Sequence, residues 1–135
     1  MIPLKDVTCF DCIHFRVPEF WTEQPGDARW RFRRDGETPD TATGSLTVVY
    51  QARDVDGEAT PGQPGMSHHS RDGEVNGRPM RSYRWDRFAF EGRFLTATIF
   101  SYMVPLDQVD RPDIVEIRDA LDREIRSALF VPPLA

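Results

Sequence analysis

Apolar and polar residues alternate along most of this chain with a period of two, and in the last third the period changes to one near 3.6. Ile114, Ile117, Leu121, Ile125 and Leu129 recur every three or four residues, so all five fall on one stripe of an amphipathic helix whose opposite face is charged. Burying such side chains is worth about 1.5–3 kcal/mol each, which makes this helix an expected buttress of the core. Asp107 or Asp110 is expected to cap its start, because a short carboxylate accepts hydrogen bonds from first-turn amides, and Pro112 fits the first turn. Pro132-Pro133 is expected to close it. Asp119 with Arg123 and Asp122 with Arg126 stand four apart in the acid-first order, which predicts two solvent-face ion pairs.

The period-two segments predict strands. A first runs from Thr8 to Arg16 and is stopped by Pro18, with a turn or short helix after it. Trp30-Arg31-Phe32-Arg33 gives a second, aromatic on one face and basic on the other, before an Asp35-Gly36 turn. Leu46 to Arg53 gives a third. Met80 through Tyr83, Trp85, Phe88 and Phe90 gives a fourth, which turns at Glu91-Gly92 into a fifth, Phe94 to Met103, ended by Pro105. Between the third and fourth, from Asp54 to Pro79, the chain is rich in Gly, Pro, Asp and Ser and has no periodicity. A loop over 54–79 is therefore predicted, and loops of that length inside a domain are usually functional or disordered. The expected fold is α+β: one domain over 1–135, with an antiparallel sheet of about five or more strands packed against a long C-terminal helix.

At 135 residues and 39% hydrophobic, the chain has room for one ordinary core. It shows no basic N-terminal segment leading into an apolar run, and no apolar stretch near the roughly 20 residues of a membrane span. The expectation is a cytoplasmic protein with no membrane contact. A net charge of −5 speaks against general affinity for nucleic-acid phosphates. Of the 17 basic residues only Lys5 is a lysine, a bias that GC-rich coding explains most simply.

Candidate chemistry is sparse. Cys9 and Cys12 have the spacing of a metal or redox pair, but no second pair completes a zinc site. On a continuous strand they point to opposite faces, so two reduced, partly buried thiols are expected. His68, His69, Asp72 and Glu74 gather imidazole and carboxylate in one short segment, the weak basis for a metal site. A loop, however, holds ligands poorly. His14 reads as a half-buried structural histidine, and Ser70 beside His69 makes no triad. The remaining signal is arginine among aromatics, the composition of interface hot spots. Arg29, Arg31 and Arg33 share one face of the second strand, and Arg81, Arg84 and Arg87 punctuate the fourth around Trp85. These seven residues form the candidate binding surface, against the alternative that cross-strand carboxylates such as Asp86, Glu91 or Glu37 neutralise a plain solvent face.

Phe15-Arg16-Val17-Pro18 with Trp21, the hairpin ending Ile99-Phe100-Ser101-Tyr102, and the helix ending Glu124 to Phe130 together resemble the PsbP-like fold family. That resemblance implies an αβα sandwich, an antiparallel sheet between helices. It implies binding, with no catalytic residues and no cofactor. Some small bacterial members are associated with type VI secretion loci as immunity or accessory proteins. The expected function is accordingly a non-enzymatic, cytoplasmic protein-binding domain with an unidentified protein partner, monomeric or paired across an edge such as Trp30 to Arg34. Two other readings stand beside it. One is a helix-grip carrier of small molecules, with a cavity lined by Trp30, Tyr50, Trp85, Phe100 and Tyr102. The other is a metal-dependent hydrolase built on His68, His69, Asp72 and Glu74.

Overall fold

The computed structural model describes residues 2–34, 44–54, 65–91 and 94–130. Among these residues the chain forms two antiparallel sheets and one α-helix. Strands β1 (Leu4–Cys9), β2 (Ile13–Pro18) and β9 (Leu129–Phe130) form a small sheet in the order β1-β2-β9. The larger sheet contains β3 (Trp21–Gln24), β4 (Arg29–Arg34), β5 (Ser45–Asp54), β6 (Gly65–Val75), β7 (Arg78–Glu91) and β8 (Phe94–Pro105), in the order β3-β4-β5-β8-β7-β6. A single 3₁₀ turn (Leu106–Gln108) leads from β8 toward α1 (Pro112–Arg126).

The small sheet and α1 lie side by side over one face of the larger sheet. Strand alternation sends Phe32, Leu46, Val48, Phe100, Tyr102 and Trp85 to that inner face, where each is buried. From β2, Phe15 packs edge-on against Phe32 at 5.9 Å and Phe100 at 5.4 Å. From α1, Ile114, Ile117, Leu121 and Ile125 are buried as the helical period requires. Arg16 of β2 donates to the Glu124 carboxylate of α1 at 2.7 and 3.2 Å, which joins the two halves of the covering layer. Among the described residues no helix covers the outer face of the larger sheet, so the αβα sandwich becomes a layer of helix plus small sheet on a six-stranded sheet.

Several expectations change. The first strand is two strands, because the chain reverses at Phe10 and Asp11, whose φ angles of 54° and 58° are left-handed. Cys12 N–H closes this turn on the Cys9 carbonyl at 3.1 Å. A left-handed Asp is tolerated, but a left-handed Phe needs outside support. Phe10 receives it from Trp30 and Tyr50, at ring distances of 5.0 and 5.9 Å. Cys9 and Cys12 therefore do not alternate across one strand: both are buried thiols outside any disulfide. After Pro18 comes a turn into β3, with Trp21 anchored against Tyr102 at 5.8 Å.

The supposed 54–79 loop contains the eleven-residue strand β6, paired along its length with β7. Asn76 and Gly77 make the hairpin turn, with φ of 52° and 79°. Residues 55–64 lie outside the described residues, as do Asp35-Gly36, Gly92 and Pro132-Pro133. Glu91 pairs with Phe94.

Helix α1 stops earlier than its hydrophobic stripe. Ser127 leaves helical geometry, Leu129 enters β9, and Leu129 is 65% exposed. Neither Asp107 nor Asp110 caps the helix: Arg111 is the N-cap and supplies no side-chain cap bond. Asp122 pairs with Arg126 at 2.9 Å as expected. Asp119 instead takes Arg118 at 3.2 Å, and Arg123 turns to Glu124 at 3.2 Å.

Candidate functional site

Among the described residues, the outer face of the larger sheet is where the fold leaves arginine side chains without an ion-pair partner. In β4 alternation buries Phe32 and turns Arg29, Arg31 and Arg33 outward, all three exposed. Register then fixes their neighbours. One row across five strands reads Arg31, Thr47, Ser101, Arg84, His69; the next reads Arg33, Ser45, Met103, Ser82, Arg71. One row ends in Arg31 and His69 and the other in Arg33 and Arg71, with hydroxyls, Arg84 and Met103 between, over about 19 Å for four strand spacings. On the flanking β3, Thr22 and Gln24 lie opposite Arg33 and Arg31 and bring no charge.

Among the described residues, Arg29, Arg31, Arg33 and Arg71 have no carboxylate within ion-pair distance. The face carries one buried acid, Asp86, which receives Arg84 at 2.8 Å and the Ser67 hydroxyl at 3.2 Å. Charge is thus segregated on a chain of net −5: acids populate α1 while this face is basic. At the β6 end the sheet forms a shallow depression of about 300 Å³, lined by His69, Arg71, Asp72, Glu74, Ser82 and Arg84 among others.

The structure divides the seven sequence-predicted residues. Arg29, Arg31, Arg33 and Arg84 share the outer face. Arg81, Trp85 and Arg87 do not. Arg81 lies on the inner side and forms a two-point pair with Asp72 at 2.7 and 3.3 Å. That guanidinium holds the Asp72 carboxyl below the usual carboxylate range. Trp85 is fully buried, its indole N–H donating to Asp122 at 2.9 Å. Arg87 donates one Nη1 to the carbonyls of Ile125, Arg126 and Ala128 at 2.7, 3.1 and 3.3 Å, satisfying the end of α1, and its guanidinium lies over the Phe130 ring. These are structural roles, and tertiary packing alone reveals them.

The metal candidates separate as well. His68 stacks on Trp85 at 4.7 Å and its Nδ1 meets the Arg84 carbonyl at 2.9 Å, while His69, one residue on, projects from the other face. Asp72 is engaged by Arg81. No three His, Cys, Asp or Glu side chains among the described residues gather as ligands. His14 bonds the Thr8 hydroxyl at 3.0 Å, a structural partner. Burial pushes the Cys9 thiol well up, with Glu23 and Cys12 adding to the effect, so it is held in its protonated, unreactive form. Of the aromatic residues proposed to line a carrier cavity, Trp85 and Phe100 are fully buried in the core and Tyr102 is 1% exposed, while Trp30 and Tyr50 are partly buried and pack against the core.

Sequence reading missed Arg71, Ser82, Ser101 and Thr47. Arg71 sat in a segment read as loop, and the hydroxyls become a pattern only when the register aligns them. The Asn76-Gly77 dipeptide was the available signal for the hairpin.

No protein-family profile and no curated sequence matches the chain. Solved structures do. LpqN of Mycobacterium tuberculosis, described as involved in cell envelope biogenesis, superposes with a TM-score of 0.67 at 11% identity, covering 96% of this chain and 91% of that one. A Bacteroides thetaiotaomicron protein gives 0.58 at 14% identity over 98% of this chain and 50% of its own. The cyanobacterial PsbP, CyanoP, of Synechocystis gives 0.50 at 12% identity, covering 96% and 94%. At these identities the likeness concerns the fold alone, and it is the PsbP-like fold that this chain shares with them.

Proposed function

We propose that this protein is a non-enzymatic binding domain that docks an acidic partner protein on the outer face of its six-stranded sheet. The observation that carries this reading is the pair of cross-strand rows that place Arg31, Arg33 and Arg71 on one face, with Thr47, Ser101, Ser45 and Ser82 among the residues between them and no carboxylate within ion-pair distance among the described residues. Guanidinium groups on a rigid sheet suit bidentate recognition of carboxylates and cost little reorganisation on binding. A protein partner is favoured over nucleic acid because the net charge of −5 opposes long-range attraction to phosphates. The domain acts in the cytoplasm, where Cys9 and Cys12 stay reduced, and an immunity or accessory role beside a secreted toxin is one form such docking takes.

The test compares the wild-type protein with the triple variant Arg29→Glu, Arg31→Glu, Arg33→Glu as bait in the native host. A stoichiometric acidic protein held by the wild type and lost by the variant, at an unchanged melting temperature, supports the reading. A partner retained equally by both removes the outer face from consideration. Binding that weakens steeply with added salt is expected, since rim charges act largely through screened electrostatics.

A further inference from the structure

Strand β6 ends the larger sheet. It pairs with β7 over its whole length, from Gly65 opposite Phe88 to Val75 opposite Arg78, and among the described residues no strand lies on its other side. Residues 67–75 are all exposed. Alternate backbone N–H and C=O groups along this edge therefore point away from the sheet with no strand to take them. The opposite edge, β3, offers only four residues.

The outer-face residues of β6 are Ser67, His69, Arg71, Gly73 and Val75; the inner-face residues are Met66, His68, Ser70, Asp72 and Glu74. This pattern decides what the edge can accept. Antiparallel pairing with a second copy must match face with face. The symmetric registers near the middle of the strand then set His69 against His69, Arg71 against His69, Arg71 against Arg71, or Asp72 against Asp72. Like charges directly opposite destabilise a strand pair, so the registers that set Arg71 on Arg71 or Asp72 on Asp72 are disfavoured, and none of the four pairs Arg71 with a carboxylate. A foreign strand with acidic residues at alternate positions fits instead, its carboxylates meeting His69 and Arg71 about 7 Å apart on the outer face. On the inner side Asp72 is already paired with Arg81 at 2.7 Å and Glu74 adds a second carboxylate, so uncharged residues suit the intervening positions. Beside Arg71, Gly73 would carry a Cβ into open space, with no atom within 4 Å, which leaves the depression open to a larger side chain.

We infer that β6 receives an extended acidic segment of the partner as a seventh strand, held by backbone hydrogen bonds and by outer-face pairing of its carboxylates with His69 and Arg71. This rests on the outer-face docking reading and specifies how the partner engages it.

The experiment uses a fluorescein-labelled peptide of about nine residues alternating Glu and Thr, titrated into the full-length protein by fluorescence anisotropy. Two further versions carry backbone N-methyl groups, one on every Glu and one on every Thr, so that only one version loses the amides that face β6. Binding is expected for the parent and for one N-methylated version, with the other abolished. Arg71→Glu is expected to weaken the parent peptide by about tenfold or more, and Arg31→Glu by less than about twofold. Amide exchange within 66–75 is expected to slow in the complex. Equal binding of both N-methylated versions, or a loss with Arg31→Glu as large as with Arg71→Glu, overturns strand addition while leaving outer-face docking in place. Failure of the parent peptide to bind overturns it too, and the triple-variant capture experiment then judges the docking reading separately.

Discussion

Replacing Trp85 by Phe separates a core residue from an interface anchor. The indole of Trp85 is fully buried, stacks on His68, and donates to the Asp122 carboxylate at 2.9 Å. The substitution keeps an aromatic ring but deletes the donor, and a hydrogen bond to a charged acceptor is worth about 1.5–3 kcal/mol. It also leaves a volume on the order of 40 Å³, which at ~24 cal/mol per Å³ adds about 1 kcal/mol. The expected loss is about 2.5–4 kcal/mol, or roughly 8–15 °C in melting temperature for a domain of this size. Urea unfolding followed by circular dichroism measures it, with Asp122→Asn and the double variant completing a cycle. A coupling of about 1 kcal/mol or more between the two sites is expected. A total loss below about 1 kcal/mol, or no coupling to Asp122, refutes the packing described and returns Trp85 to the binding surface.

Other perturbations follow the same geometry. Arg87→Met leaves the three carbonyls at the end of α1 without their donor and is expected to cost about 1.5–3 kcal/mol by urea titration, with partner binding intact. Ile117→Ala is expected to cost about 2–5 kcal/mol, whereas Leu129→Ala, at the same helical spacing in sequence but 65% exposed, costs under about 0.5 kcal/mol; similar losses would show that the stripe continues through β9. Acid should destabilise the fold through Glu124 and Asp122. Burial works to raise both carboxyls, but Arg16 and Arg123 at Glu124, and Trp85 and Arg126 at Asp122, outweigh it and hold both below the usual range. Their contribution is complete above the unfolded carboxylate pKa of about 4 and is lost as pH falls through the lower folded values. Glu124→Gln should flatten that acid limb in a pH series of melting temperatures, and an unchanged limb refutes the assignment.

The sequence alone determined the elements whose burial is written in a local period. The stripe from Ile114 to Ile125 specified α1, and the alternation in Trp30 to Arg33, in Leu46 to Arg53 and through the two long strands after Met80 specified β4, β5, β7 and β8, because each of these elements has one apolar face to hide. The outward basic face of β4 was legible for the same reason. Strand β6 was not: as an edge strand with residues 67–75 all exposed, it carries no hydrophobic alternation, and only its pairing with β7 makes it a strand. The turn at Phe10 and Asp11 escaped notice because its support comes from Trp30 and Tyr50, distant in sequence.

The tertiary structure also decided which arginines are available. Arg84 and Arg87 look alike in sequence, yet register turns Arg84 outward beside Asp86 and sends Arg87 to the end of α1. Trp85 between them goes inward to Asp122, and Arg71 joins Arg31 and Arg33 only when five strands are aligned. Local periodicity reports which face an element buries. What lies opposite that face depends on non-local pairing, and a one-residue change of register would exchange the two faces of a strand.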